Sequence, residues 1–152
     1  MKIAAHLEKF RRIDATLARL DPRGDCELWI WTAMNAGVHL LNAALHHCGA
    51  TRDTDSFHTQ VEALYAVPDR ARGTVADAMH PPGDVMHVGQ PPIDAKLPAP
   101  IERACAALKR IEDLREPHVR GSVPVAADAQ QEWLRAYREC IDRLREALGS
   151  AR

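Results

Sequence analysis

Apolar side chains recur along this chain at alternating spacings of three and four, the period of an amphipathic helix. Over residues 2–20 they fall at Ile3, Leu7, Phe10, Ile13, Leu17 and Leu20. The run DPRGD (21–25) stops that helix, and Asp25 stands where a cap for the next one belongs. The second helix, about 26–48, is apolar round most of its circumference, through Leu28, Trp29, Ile30, Met34, Val38, Leu40, Leu41 and Leu45. A helix of that kind is packed on several sides and so lies at the centre of a fold. Gly49 offers its C-terminal stop.

The next apolar positions, Phe57, Val61, Leu64 and Tyr65, predict a short helix over about 56–66, closed by Pro68. A weaker helical piece is expected over 74–79. HPPGDVMHVGQPPIDAKLPAP (80–100) then holds six of the ten prolines and reads as an extended loop. Pro100 suits the first turn of a helix to about Arg115, with a buried stripe of Ile101, Cys105, Leu108, Ile111 and Leu114. After a turn marked by Pro117, Gly121 and Pro124, a last helix over about 126–148 carries Leu134, Tyr137, Ile141, Leu144 and Leu148, and Gly149 ends it. Strand-type alternation and internal repeats are absent from the pattern. The expectation is a single all-α domain over 1–152: an up-down four-helix bundle with an additional short helix and a long proline-rich loop at 80–99.

Composition sharpens this picture. At 152 residues, 46% hydrophobic and 27% charged, the chain is large enough for a real core and unlike a disordered segment. The formal net charge of −1 argues against a nucleic-acid footprint over the whole surface and leaves room for a local basic patch. Sixteen of the twenty basic residues are Arg, which reads first as coding bias. Cys26, Cys48, Cys105 and Cys140 are far apart, form no CxxC pair and fit free buried thiols in a reducing cytoplasm. MKIAAHLEKFRR turns charged too early for a secretory leader. The uncharged run 28–51 is long enough to span a membrane, yet its two Asn, three His and two Gly would be costly in hydrocarbon. The chain is therefore expected to be cytoplasmic, with no membrane partner. No GxGxxG, phosphate-binding loop or other cofactor fingerprint occurs, so no cofactor is expected.

Candidate chemistry concentrates in two places. Asn35 and Asn42, the only asparagines, align with His39 and His46 within about 60° of the second helix. Three readings fit this stripe: the wet edge of a mostly buried helix, a hydrogen-bonded seam against another helix or a second copy, or a ligand or metal site. His39 and His46 lie two turns apart, about 10 Å along the axis, too far to share one ion directly. Glu-x-x-His, the di-iron bundle motif, is absent; Asp-x-x-His occurs at Asp55–His58 and Asp84–His87. No metal ligand is assigned, and a metalloprotein using His39, His46, His58, His80 or His87 stands as the alternative, beside a plain homodimeric interaction module.

The second place is LREPHVRG (114–121), which gathers Arg115, His118 and Arg120 into the turn before the last helix. Arg offers phosphate a planar fork and His moves a proton near neutral pH, so the three could bind or cleave a phosphodiester. They equally suit a helix C-terminus answered by positive side chains.

The order of elements resembles the HEPN superfamily, in which two long antiparallel helices precede a short one and two more, with an Arg/His turn before the last. The matching pieces are the long pair at 2–48, GATRDTDSFHTQVEALYAV, IERACAALKRIEDLREPHVRG and AQQEWLRAYRECIDRLREAL. Nuclease members of that family place four to six residues between Arg and His. Here two separate Arg115 from His118 and seven separate Arg110 from His118, so the catalytic pair does not carry over cleanly. The resemblance implies a homodimeric helical domain that binds nucleotides or RNA, in a stress or defence setting. Arg115, His118 and Arg120 would be its phosphate contacts, and Asn35, His39, Asn42 and His46 a seam near the pocket or interface.

Overall fold

The three-four spacing is realised as four α-helices in the computed structural model, which describes residues 1–51, 53, 64–69, 74–79, 96–121 and 123–149. They are α1 (Ile3–Leu17), α2 (Cys26–His47), α3 (Ala99–Arg115) and α4 (Ala127–Gly149), with a five-residue π-helical turn, Glu116–Arg120, between the last two. Each helix lies within a few residues of its expected bounds. Side-chain contacts fix the directions. His6 near the start of α1 meets His39 and His46 late in α2. Arg110 of α3 pairs with Glu132 and Glu139 of α4. Trp29 near the start of α2 meets Trp133 and Tyr137 in the first half of α4. The helices thus run up, down, up, down, and the fold is the expected all-α bundle.

One prediction is overturned between the long helices. Residues 74–79 are not helical: β1 (Leu64–Asp69) and β2 (Thr74–Met79) pair antiparallel, Leu64 opposite Met79 and Asp69 opposite Thr74. The end of the predicted 56–66 helix, from Leu64, therefore belongs to a strand, and its beginning lies outside the described residues. Pro68 removes a helical donor and biases its predecessor to extended backbone, while Tyr65, Val67, Thr74 and Val75 favour a strand. Of the proline-rich segment, 80–95 likewise lies outside the described residues, and Lys96, Leu97 and Pro98 lead into α3 without regular structure.

The core is shared by all four helices. Phe10 and Leu17 come from α1, Trp29, Ile30, Leu40, Leu41 and Leu45 from α2, Ile101, Leu108 and Ile111 from α3, and Trp133, Ile141 and Leu144 from α4. Leu28, counted with the apolar surface of α2, is instead 56% exposed. Each fully buried Leu or Ile stabilises by about 1.5–3 kcal/mol relative to exposure. Small buried residues bring the helices close: Ala33, Ala36, Gly37 and Ala44 on α2, Ala104 and Ala107 on α3, Ala136 on α4. Of the thiols, Cys140 is buried, Cys26 and Cys105 are half-buried and Cys48 is exposed, so only Cys140 fully matches the expectation of buried thiols; all four are free.

Local chemistry sets the helix ends. In DPRGD, Asp21 accepts from the Arg23 and Gly24 amides. Asp25 occupies the N-cap position, but its carboxylate accepts from the Asp21 amide rather than from α2. Gly49 takes a left-handed φ of 76°, ending α2 and folding the chain back so that the Thr51 amide reaches the Leu45 carbonyl.

Gly37 offers a test of the close packing. A Cβ there would strike Leu108 and lie 3.6 Å from Cys140 Sγ. Gly37→Val is expected to cost about 2 kcal/mol in urea unfolding. Combined with Leu108→Ala it should cost less than the sum of the two single changes, because the smaller side chain vacates the space.

Candidate functional site

The polar stripe is real and lies on one face of α2. Asn35, His39, Asn42 and His46 are each half-buried, along the side of α2 that α1 partly covers. The asparagines are satisfied within their own helix. Asn35 Nδ2 donates to the Trp31 carbonyl (2.8 Å) and Asn42 Nδ2 to the Val38 carbonyl (2.9 Å). Their side-chain donors are thus engaged four residues back, and the amide oxygens remain to accept.

The two histidines are brought together by a third that the sequence reading missed. His6, buried on α1, places its Nδ1 3.0 Å from His39 Nδ1, so one ring donates and the other accepts. Its ring centre is 5.3 Å from those of both His39 and His46. His46 Nδ1 shares a 2.6 Å hydrogen bond with Thr51 Oγ1. Beside them Asp53 accepts from the Ile3 amide at 2.9 Å, capping α1 from the loop after α2. His6 stands three residues after Ile3 and four before Phe10, on the buried stripe of α1, which was the available signal. Burial, then the charges of His39, His46, the amino terminus and Lys9, hold His6 down to about 4. Burial and Lys9 lower His39 as well.

Along the same α1–α2 seam runs a groove of about 730 Å³, open to solvent. Lys9, Arg12, Ile13, Ala15 and Thr16 line it from α1, Arg19 from the turn just after it, and Thr32, Asn35 and His39 from α2. Among these described residues there are three permanent cations and no carboxylate. Asp14, the acid of this part of α1, accepts instead from Tyr137 Oη of α4 at 2.7 Å. Thr16 and Thr32 hydroxyls donate to carbonyls of their own helices, and Arg19 donates to Thr16. The spacing of Lys9, Arg12, Thr16 and Arg19 is itself helical, so the basic stripe was present in the sequence behind its general abundance of Arg.

In the turn before α4, two of the three side chains expected to contact phosphate are engaged by neighbouring groups. Arg115 is buried, ion-paired to Glu112 (2.7 Å) and stacked 5.0 Å from the centre of the Trp31 ring. His118 Nδ1 donates to the Val123 carbonyl at 3.0 Å, and its ring meets Trp133 edge-on at 5.3 Å. The backbone closes tightly at Gly121, where a Cβ would lie 2.6 Å from the Pro117 carbonyl oxygen. Both side chains therefore hold α3, the π-helical turn and α4 to the N-terminal end of α2. The Arg120 side chain lies outside what is described.

Among the described residues no group of three His, Cys, Asp or Glu is placed to hold a metal ion. His58, His80 and His87, with the Asp55–His58 and Asp84–His87 pairs, lie outside them. No described helix is long and apolar enough to cross a membrane. No family model, curated protein or solved structure matches the chain.

Two outcomes follow from this geometry. Between pH 6.5 and about 4 the unfolded chain binds a proton at His6 that the folded chain refuses, so stability falls as pH drops through that window. The span corresponds to on the order of 3 kcal/mol, and His6→Gln should flatten this part of a curve of Tm against pH. Equal acid sensitivity in the variant would count against the assignment. Arg115→Ala should lower unfolding free energy by about 2 kcal/mol, through loss of its ion pair and its stem over Trp31.

Proposed function

We propose that this chain is a HEPN-like helical module that binds RNA or nucleotides through the α1–α2 groove. One observation carries the reading: Lys9, Arg12 and Arg19 face a groove lined also by Asn35 and His39 and by no described carboxylate. Converging cations with local acids removed are what a phosphate chain selects. The Asn35 amide oxygen and the threonine oxygens are acceptors suited to sugar hydroxyls, the groups that separate RNA from DNA. Among the described lining residues the His39 imidazole is the one aromatic ring and there is no Phe, Tyr or Trp, so recognition rests mainly on the backbone of the ligand rather than on base stacking.

The reading keeps the ligand class drawn from the resemblance and moves the contacts from the turn at 115–120 to α1. Neither Arg115 nor His118 is assigned a phosphate, and no cleavage is assigned. The homodimer implied by the resemblance remains part of the proposal. It is supported by Leu28, a large apolar side chain left exposed near the start of α2, where a second copy could bury it.

Anisotropy of a short dye-labelled single-stranded RNA tests the site. Lys9→Ala, Arg12→Ala and Arg19→Ala together should weaken binding by about tenfold or more. Wild-type affinity should fall with salt at a logarithmic slope of about −2, as three neutralised phosphates require. Undiminished binding by the triple variant removes the groove from the account. Light scattering reads the dimer, and a monomer mass removes that element alone.

A further inference from the structure

We propose that RNA binding in the α1–α2 groove draws one proton from the buffer onto the His6–His39 pair, so that affinity is coupled to pH. The inference rests on the groove reading above and concerns the regulation of that site. His39 belongs to two structures at once: it lines the groove with Lys9, Arg12 and Arg19, and its Nδ1 is bonded to His6 Nδ1. A neutral pair holds one proton in that bond. When His39 donates it, His39 Nε2 carries a lone pair, which repels a phosphate oxygen. One added proton at Nε2 makes His39 an imidazolium that donates from Nδ1 to His6 and from Nε2 to the phosphate. The ligand gains a charge-assisted hydrogen bond without breaking the contact between the helices.

The surroundings keep that proton off until an anion arrives. From α1, Lys9 presents positive charge toward the pair, as does the amino terminus just before the helix, and Arg12 lines the same groove as His39. From α2, His46 adjoins His6 and is bonded to Thr51. In the loop after α2, the Asp53 carboxylate is engaged by the Ile3 amide. From α4, Arg145 lies over Phe10, one turn along α1 from His6. Burial and Lys9 already hold His39 below its ordinary value. A phosphate between Lys9 and His39 reverses the sign of the local field, which favours the imidazolium. By linkage, whatever binding does to the proton, the proton does to binding.

Phosphodiesters do not titrate near neutrality, so RNA is the probe that isolates the protein's proton. Anisotropy of a rhodamine-labelled single-stranded RNA at fixed salt is expected to give a Kd about tenfold lower near pH 6 than near pH 8, the effect of a ligand-linked pKa rise of about two. Calorimetry in two buffers of different ionisation heat should register net proton uptake approaching one per RNA site. His39→Gln and His6→Gln should each lose the pH slope, while His47→Gln, on an exposed neighbour outside the groove, should keep it. If His6→Gln does not fold, the wild-type proton count and His39→Gln decide. Salt-sensitive binding that is flat in pH with no proton uptake overturns the coupling and leaves the groove standing, as does a slope retained in His39→Gln. Wild type that binds no RNA at any pH overturns the groove and the coupling with it.

Discussion

The structure depends on the solvation of α2. From Leu28 to Thr51 the chain carries no Asp, Glu, Lys or Arg, so this helix must be surrounded by other protein on most sides. Packing α3 and α4 on it needs close approach, which the small side chains at 33, 36, 37 and 44 permit. α1 closes a third side and brings its own charged face alongside the strip that remains. That strip carries Asn35, His39, Asn42 and His46. Each of its amides and imidazoles has a partner, as a half-buried polar group requires.

Charge is distributed unevenly over this frame. On α3 and α4 the basic groups largely face their own acids: Lys109 with Asp113, Arg110 with Glu139, Arg135 with Glu132, Arg143 with Glu146. Such exposed pairs add little to stability, but they cancel the field around them. In the groove the cations meet amides, hydroxyls and an imidazole. A net charge of −1 therefore conceals one locally positive seam. At the N-terminal end of α2 other polar groups serve packing. Asp14, Tyr137, Trp29, Trp133 and His118 form a continuous run of contacts from α1 to the turn before α4. Burial and the bond to Asp14 push the Tyr137 phenol up, so it stays a donor throughout the neutral range.

The helices were legible because periodicity is a property of one segment at a time. Ile101, Leu108 and Ile111, or Tyr137, Ile141 and Leu144, declare a buried face without knowledge of what covers it. The alignment of 35, 39, 42 and 46 was legible for the same reason. What lay hidden needed two segments at once. Nothing in His39 and His46 alone reveals that His6 fits between them, since that depends on the offset at which α1 packs. The basic stripe at 9, 12 and 19 was visible but was read as composition, and only the missing acids beside it give it meaning. Arg115 and His118 were credited with a ligand because their side chains suit phosphate. Trp31 and the Val123 carbonyl, distant in sequence or lacking a signature, had first claim on them. The strand pair at 64–69 and 74–79 escapes the pattern because a short apolar run carries almost no period, and Pro68 argues equally for a helix end and an extended strand.

The bond from Asp53 to the Ile3 amide spans 50 positions. An isolated segment 1–20 therefore lacks the acceptor that completes its own first turn, and short helices are marginal in water without such help. The opening turn of the protein is thus tied to the stretch that leaves α2, the same stretch that carries Thr51 over His46. Disturbance there would loosen the amino end of the chain first. Amide hydrogen exchange at Ile3 would serve as a remote gauge of how firmly that connection is held.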